Sequence, residues 1–328
     1  MLERLRQPWS DRRAELTLGA ASLLIGATVI AMIAFVFAQA WPVFQHDGLS
    51  WLGPGGSGLE RQIETMQAAG PQPTAASYHL NAWPIVYATL LTTVVSVALG
   101  IALAVLSSIF IVELAPARLR RIAIPVIRLL ASVPSVVYGL IGILVLVPFV
   151  GNHLISPGEK TSLAGTVQLT GASLGVAIVI LTVMITPIMV ALTCEALVSV
   201  PNSWREGAVA LGVNPVRAIL AVTLRAARPA IVAAAVLASA RAIGEAIMIS
   251  MVSGGRFFSP RPGDGITFLF EPVRTLASTI VDFHDGIGAP AVKSALYAFA
   301  AVLLFSAFML SVAGYLIKLP LRRYQVRG

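Results

Sequence analysis

The sequence predicts an all-α, polytopic membrane protein with six transmembrane helices and both termini in the cytoplasm. Three observations predict it. Of 328 residues, 57% are hydrophobic and only 12% are charged, roughly half the charged share of soluble domains. Mean hydropathy is +0.85. The few charges lie between apolar runs longer than a core helix needs. A soluble globular enzyme is excluded.

Residues 1–15 mix Arg4, Arg6, Asp11, Arg12, Arg13 and Glu15 and read as a cytoplasmic N-terminal segment. The charge-free run 16–45 supplies a first span at 16–41, too long for a secretory signal and without a small-x-small cleavage site, hence an uncleaved anchor. Residues 42–82 read as an extracytoplasmic loop, irregular rather than a domain, because they are rich in Gly, Pro and Ser, including Pro54-Gly55-Gly56-Ser57-Gly58. Further charge-free runs at 65–112, 129–158, 161–194 and 294–317 each hold one span. The remaining span lies at about 230–254 and is apolar except for Arg241 and Glu245, which a window of about 19 residues tolerates. The membrane core thus runs over 83–317, with a cytoplasmic loop at 195–229 and a cytoplasmic tail at 318–328.

Charge placement sets the orientation. Alternating the loops puts 16 of the 23 Lys and Arg on the side of the termini, against six acidic residues, and six basic against eight acidic residues on the other side. Basic residues in short loops mark the cytoplasmic face. The net charge of +8 therefore reflects topology and attraction to inner-leaflet lipid, not nucleic acid. A single cysteine, Cys194, and four scattered histidines offer no disulfide and no metal site. No cofactor is expected.

The cytoplasmic loop carries helix signals. Pro201-Asn202-Ser203 starts one helix that Gly212 stops, and Asn214-Pro215 opens a second over 216–227. Two short helices hinged at a glycine suit docking to a cytosolic partner. The chain itself lacks a phosphate-cradling loop, which needs Gly-Lys before Ser or Thr: none of its three lysines, Lys160, Lys293 and Lys318, follows a glycine. A nucleotide site, if ATP drives this protein, sits on another chain.

A charge at the bilayer centre costs about 2.5–3.5 kcal/mol on insertion scales, so Arg241 and Glu245 need a reason. Counted from Ala230, Arg241 lies roughly 17 Å into a core about 30 Å thick. At spacing i, i+4 the two share a helix face, and Gly244 permits close approach of a helix or substrate. That face then lines a polar path, with Arg241 offering a fork of donors to an oxyanion. The alternative is a buried ion pair that only holds the bundle together. Thr89, Thr92, Thr93 and Ser96, and likewise Ser132, Ser135, Tyr138 and Gly139, serve either a path or helix packing.

Glu206-Gly207-Ala208, three residues, Gly212, nine residues, then Val222-Thr223-Leu224-Arg225 resembles the EAA loop of ATP-binding-cassette importer permeases, whose pattern is E-A-A, three residues, G, nine residues, I-x-L-P. Gly207 replaces Ala, Val222 replaces Ile and Arg225 replaces Pro. Arg241-Ala-Ile-Gly-Glu245-Ala and the Met251-Val-Ser-Gly254 continuation resemble the R-A-x-G-E-T segment of the C-type phosphate-specific transport permease. Glu113-Leu-Ala-Pro, Arg118 to Arg121, Ser132-Val-Pro-Ser-Val-Val-Tyr138-Gly139, Val145-Leu-Val-Pro148 and Glu195-Ala-Leu are similar to the same family.

The resemblance implies a type I importer permease fold in a bacterial inner membrane. It implies substrate-path residues Arg241, Gly244 and Glu245 and ATPase-coupling residues Glu206, Gly207, Ala208 and Gly212. It also implies partners: a homologous A-type permease as heterodimer, two cytosolic ATP-binding subunits and an extracytoplasmic phosphate-binding protein. Three other readings stand beside it: a permease for sulfate or molybdate, an anion channel or secondary carrier, and a membrane protein that merely docks a cytosolic partner.

Overall fold

Helices dominate because lipid offers the backbone no hydrogen-bond partner of its own. A computed structural model describes residues 9–53, 58–158, 160, 168–257 and 259–321. Pro54, Gly55, Gly56 and Ser57 of the glycine-rich motif lie outside the described residues, as do residues 1–8 and 322–328.

Among the described residues, six helices are long and apolar enough to cross a membrane. They are α1 (Trp9–Asp47), α3 (Trp83–Ile109), α5 (Ser135–Leu154), α6 (Leu174–Val198), α8 (Pro215–Ile243) and α11 (Pro290–Leu321). Among the described residues, five shorter α-helices accompany them: α2 (Leu59–Ala68), α4 (Ala117–Ala131), α7 (Asn202–Ala210), α9 (Ile247–Val252) and α10 (Leu276–Asp282). Among the described residues the strand-like pairing is one isolated bridge, Gly254 to Val273. Six crossings bring both ends of the bundle to one face, the basic one.

The centre of the bundle is α6. In its most apolar window 61% of residues are buried, against none in that of α1. Hydroxyls knit α3 to α6: Ser96 donates to the Ile178 carbonyl at 3.1 Å and Ser108 to the Val190 carbonyl at 3.2 Å. Thr89 accepts the Leu276 N–H at 2.9 Å, and Thr92 turns back onto the Ala88 carbonyl. Thr89, Thr92, Thr93 and Ser96 are all buried. Of the two roles open to that face, packing is the one it has, since interhelical hydroxyl bonds replace the hydrophobic drive that lipid removes.

Close helix approach occurs elsewhere. A Cβ on Gly142 of α5 would meet Val252 Cγ1 at 2.5 Å, and one on Gly139 would meet Met251 Sδ at 2.8 Å and Met248 Cα at 3.2 Å. The glycines of one span thus seat the methionine-rich α9 of another, joining two motifs that lie about a hundred residues apart in sequence.

Three expectations need correction. The 42–82 segment is not wholly irregular: α2 lies within it, and Trp51, Leu59, Ile63, Met66 and Leu80 are buried against Ala40 and Val43 of α1 and Phe299 of α11. Leu59, Ile63 and Met66 recur at helical spacing, a signal masked by the surrounding Gly and Pro. The second helix of the basic-face loop is no separate element. It is the start of α8, which runs unbroken from Pro215 to Ile243 by absorbing a π-helical turn at Ile219–Thr223 and Pro229. The connection from α6 to α8 accordingly shrinks to residues 199–214. Lastly, the fifth span does not continue to Gly254 as one helix but breaks at 244–246, between α8 and α9.

Candidate functional site

The break in the fifth span places both membrane charges at helix ends. Arg241 lies in the last turn of α8, and Glu245 precedes α9, where Oε1 accepts the Met248 N–H at 3.2 Å. A helix C-terminus carries partial negative charge and an N-terminus partial positive charge, so each residue meets the complementary pole. That is worth about 0.3–1 kcal/mol apiece, short of the roughly 2.5–3.5 kcal/mol insertion cost. The rest calls for polar surroundings or a polar ligand.

Because α8 ends at Ile243, the two residues do not share a helix face. No ion pair within 4.0 Å joins Arg241 to Glu245 among the described residues, whose charged pairs lie elsewhere. The bundle-holding ion pair is therefore not what occupies them. Gly244 seats no neighbouring helix either: a Cβ there would meet only the Ala240 and Arg241 carbonyls, at 3.6 and 3.9 Å. It is exposed and stands where the helix ends.

The Arg241 guanidinium leans back toward the basic face, as side chains on a helix do, and donates one long bond, 3.5 Å, to the Ala131 carbonyl. Ala131 ends α4. A second chain break follows at residues 132–134, and Tyr138 of α5 donates across it to the Leu130 carbonyl at 3.1 Å. The broken fifth span and the α4 to α5 junction thus meet at Arg241. With five N–H donors on the fork and one long bond to Ala131, the guanidinium keeps donors to spare among the described residues.

On the basic face, α7 presents Glu206 and Gly207 to solvent, with Ala208 half-buried and Gly212 exposed. Gly212 adopts φ +84°, a left-handed conformation that disfavours any residue with a Cβ. It closes the turn with its N–H on the Val209 carbonyl at 2.9 Å. Asn214 then caps α8 by accepting the Val216 N–H at 2.9 Å, and Pro215 sits at the first helical position. Two turns of chain therefore join α7 rigidly to the long rod of α8.

The structure adds an anchor that sequence reasoning missed. Arg205 of α7 pairs with Glu113, whose side chain is 4% exposed at the end of α3. The pair borders a cavity of about 200 Å³ lined by Val112, Glu113, Arg120, Leu197, Pro201 and Arg205. The partners are 92 residues apart, and no local signal links them. Removing one member of a buried pair costs about 3–5 kcal/mol; Arg205 is 36% exposed and regains water, so Glu113→Gln is expected to cost about 1–2 kcal/mol. A double-mutant cycle with Arg205→Gln, read by thermal unfolding of the detergent-purified chain, is expected to show that the second change adds little to the first. Full additivity would remove the anchor.

With this geometry in place, comparison with known proteins is informative. Residues 96–319 match the model of the family described as binding-protein-dependent transport system inner membrane component. The chain belongs to this family. A probable ABC transporter permease protein, YqgH, of Bacillus subtilis is 31% identical over 84% of this chain and 79% of its own length. A probable phosphate transport system permease protein, PstC, of Methanocaldococcus jannaschii is 27% identical over 87% and 86%. Among solved structures, the chain resembles one of the MetNI methionine ABC transporter in an inward-facing conformation, with a TM-score of 0.50 and 20% identity over 73% of this chain and 94% of that one. That likeness shows the fold, that of an ABC importer permease. As a family member with six apolar helices, the chain is a multi-pass inner-membrane protein.

Proposed function

We propose that this permease is the C-type subunit of an ATP-driven importer of inorganic phosphate, with its basic face and both termini in the cytoplasm. The observation that carries the cargo is a guanidinium with spare donors where the broken fifth span meets the α4 to α5 junction, in a chain whose relatives include phosphate permeases. Its partners are a second, homologous permease, two cytosolic ATP-binding chains and an extracytoplasmic phosphate-binding protein. Broken spans also suit secondary carriers; family membership is what selects the ATP-driven reading.

The mechanism follows from the connection of α7 to α8. ATP-driven approach of the cytosolic chains presses on Glu206, Gly207 and Ala208. The press is not lost in a compliant loop, because Gly212 and Asn214 hand it to a single helix of 29 residues, about 44 Å long. That helix ends at Arg241 and Gly244. Glu113 and Arg205 carry the same motion into α3. Tilting these spans opens the path alternately to each side, Arg241 holds the anion by its fork, and Glu245 secures the outer half-helix. The chain performs a conformational step and no bond chemistry.

Reconstitution tests the reading. In proteoliposomes, the complex with its ATP-binding and phosphate-binding partners is expected to take up radiolabelled phosphate only with ATP, and in preference to sulfate and molybdate. Full-rate anion transport by the isolated chain without ATP would overturn it, and preference for sulfate would change the cargo.

A further inference from the structure

A second cation with spare donors lies on the face opposite the basic one. Arg274 lies beside a packed pair of phenyl rings, its Cζ 4.7 Å from the Phe257 centroid and 4.9 Å from that of Phe283, the two centroids being 5.7 Å apart. Cation–π contact with this pair holds the guanidinium from one side without using its N–H groups. The side chain is 14% exposed. Among the described residues its ion-pair partner within 4.0 Å is Asp282, at 3.5 Å from Nη2, and Nε is buried with no hydrogen-bond partner. Burial pushes this guanidinium below its usual range, against the opposing pull of Asp282 and Glu60.

Buried donors in native proteins are nearly all satisfied, and an exception asks for an ion or water. Two neighbours make this exception specific. Gly255, at φ +64°, leaves room that a Cβ would take, 3.0 Å from Nη2. The Ser253 hydroxyl is also buried without a partner, on the segment that pairs with Arg274's own through the Gly254 to Val273 bridge and the Val273 N–H to Ser253 carbonyl bond of 2.8 Å. The cluster is tied to the broken span: Ser250 of α9 donates to Asp282 Oδ1. Ser250 lies nine residues beyond Arg241, across the break at 244–246.

We propose that Arg274 forms an outer binding site for the transported oxyanion, one step before Arg241, with Asp282 as the carboxylate that the arriving anion displaces. The aromatic pair supports one side of the guanidinium, the anion takes the unsatisfied donors, and release of Asp282 frees Ser250 and so the outer half-helix α9. This rests on the oxyanion-importer reading above, and it places two arginines in series along one path.

The test is scintillation-proximity binding of radiolabelled inorganic phosphate to the permease and ATPase complex in nanodiscs, without binding protein. In an Arg241→Gln background, binding is expected to persist and to fall by about tenfold or more when Arg274→Gln is added. Asp282→Asn, which removes the competing carboxylate, is expected to tighten binding about threefold or more; a purely structural Arg274 would not produce tightening. Binding unchanged by Arg274→Gln overturns the site. If that variant does not assemble, Asp282→Asn decides, and unchanged or weaker binding overturns it. Sulfate and molybdate run in parallel separate the two readings: binding of either with the same Arg274 dependence, but none of phosphate, leaves the outer site standing and removes the phosphate assignment.

Discussion

Replacing Arg241 by Gln is expected to cut phosphate uptake by about ten- to a hundredfold while the complex still assembles. The magnitude follows from the loss of charge-assisted hydrogen bonds to the anion, about 1.5–3 kcal/mol, at a factor of ten for each 1.36 kcal/mol. Assembly survives because the side chain makes one bond of 3.5 Å to Ala131 and no ion pair with Glu245, so little of the fold depends on it. Arg241→Lys is expected to recover only part of the loss, since an ammonium restores the charge but not the planar fork. Uptake by proteoliposomes, with assembly checked by size exclusion, measures both. Normal uptake by the Gln variant would remove Arg241 from the path.

The second large effect is expected at the turn between α7 and α8. Gly212→Pro forces φ from +84° to about −65° and deletes the N–H that bonds the Val209 carbonyl. The turn cannot close, and α7 swings away from the start of α8. Since α7 buries none of its residues, the stability lost is that of the Glu113 to Arg205 anchor, roughly 1–2 kcal/mol; the larger loss is the rigid link. Substrate-stimulated ATP hydrolysis is therefore expected to vanish while basal hydrolysis by the partner chains continues. Gly212→Ala keeps the N–H and meets only the left-handed penalty, about 1–2 kcal/mol, so partial uncoupling is expected. Glu206→Lys, on the exposed face of α7, is expected to break the docking contact without touching the turn. A Gly212→Pro complex that hydrolyses ATP at the normal substrate-stimulated rate would sink the coupling role.

Membrane crossing is legible in this sequence because twenty or so consecutive residues share one requirement, and averaging over them is robust to single misfits. The same averaging hid the most informative feature. A window over 230–254 passes as one span, yet the chain breaks at 244–246, where Gly244 is a weak helix former and Glu245 caps the next helix with its own side chain. Local chemistry there was readable in part: a glycine beside a carboxylate is a stop followed by a start. Pro215 and Asn214 announced a helix start correctly, but nothing local says that this helix continues through Pro229 into the membrane. Continuity depends on the π-helical turn at Ile219–Thr223 and on the neighbours that pack around it.

By itself the sequence determined the class, the six crossings, the basic face and the motifs of the coupling turn, because hydropathy, charge and turn chemistry act over a few residues to a few tens. Tertiary structure alone decided that Gly139 and Gly142 seat Met248, Met251 and Val252, that the Thr89 face packs rather than conducts, that Glu113 anchors Arg205, and that Arg241 meets the end of α4 instead of Glu245. Each of those depends on which atoms come within a few ångströms across separations of tens to about two hundred residues, and no short-range preference of the chain encodes that distance.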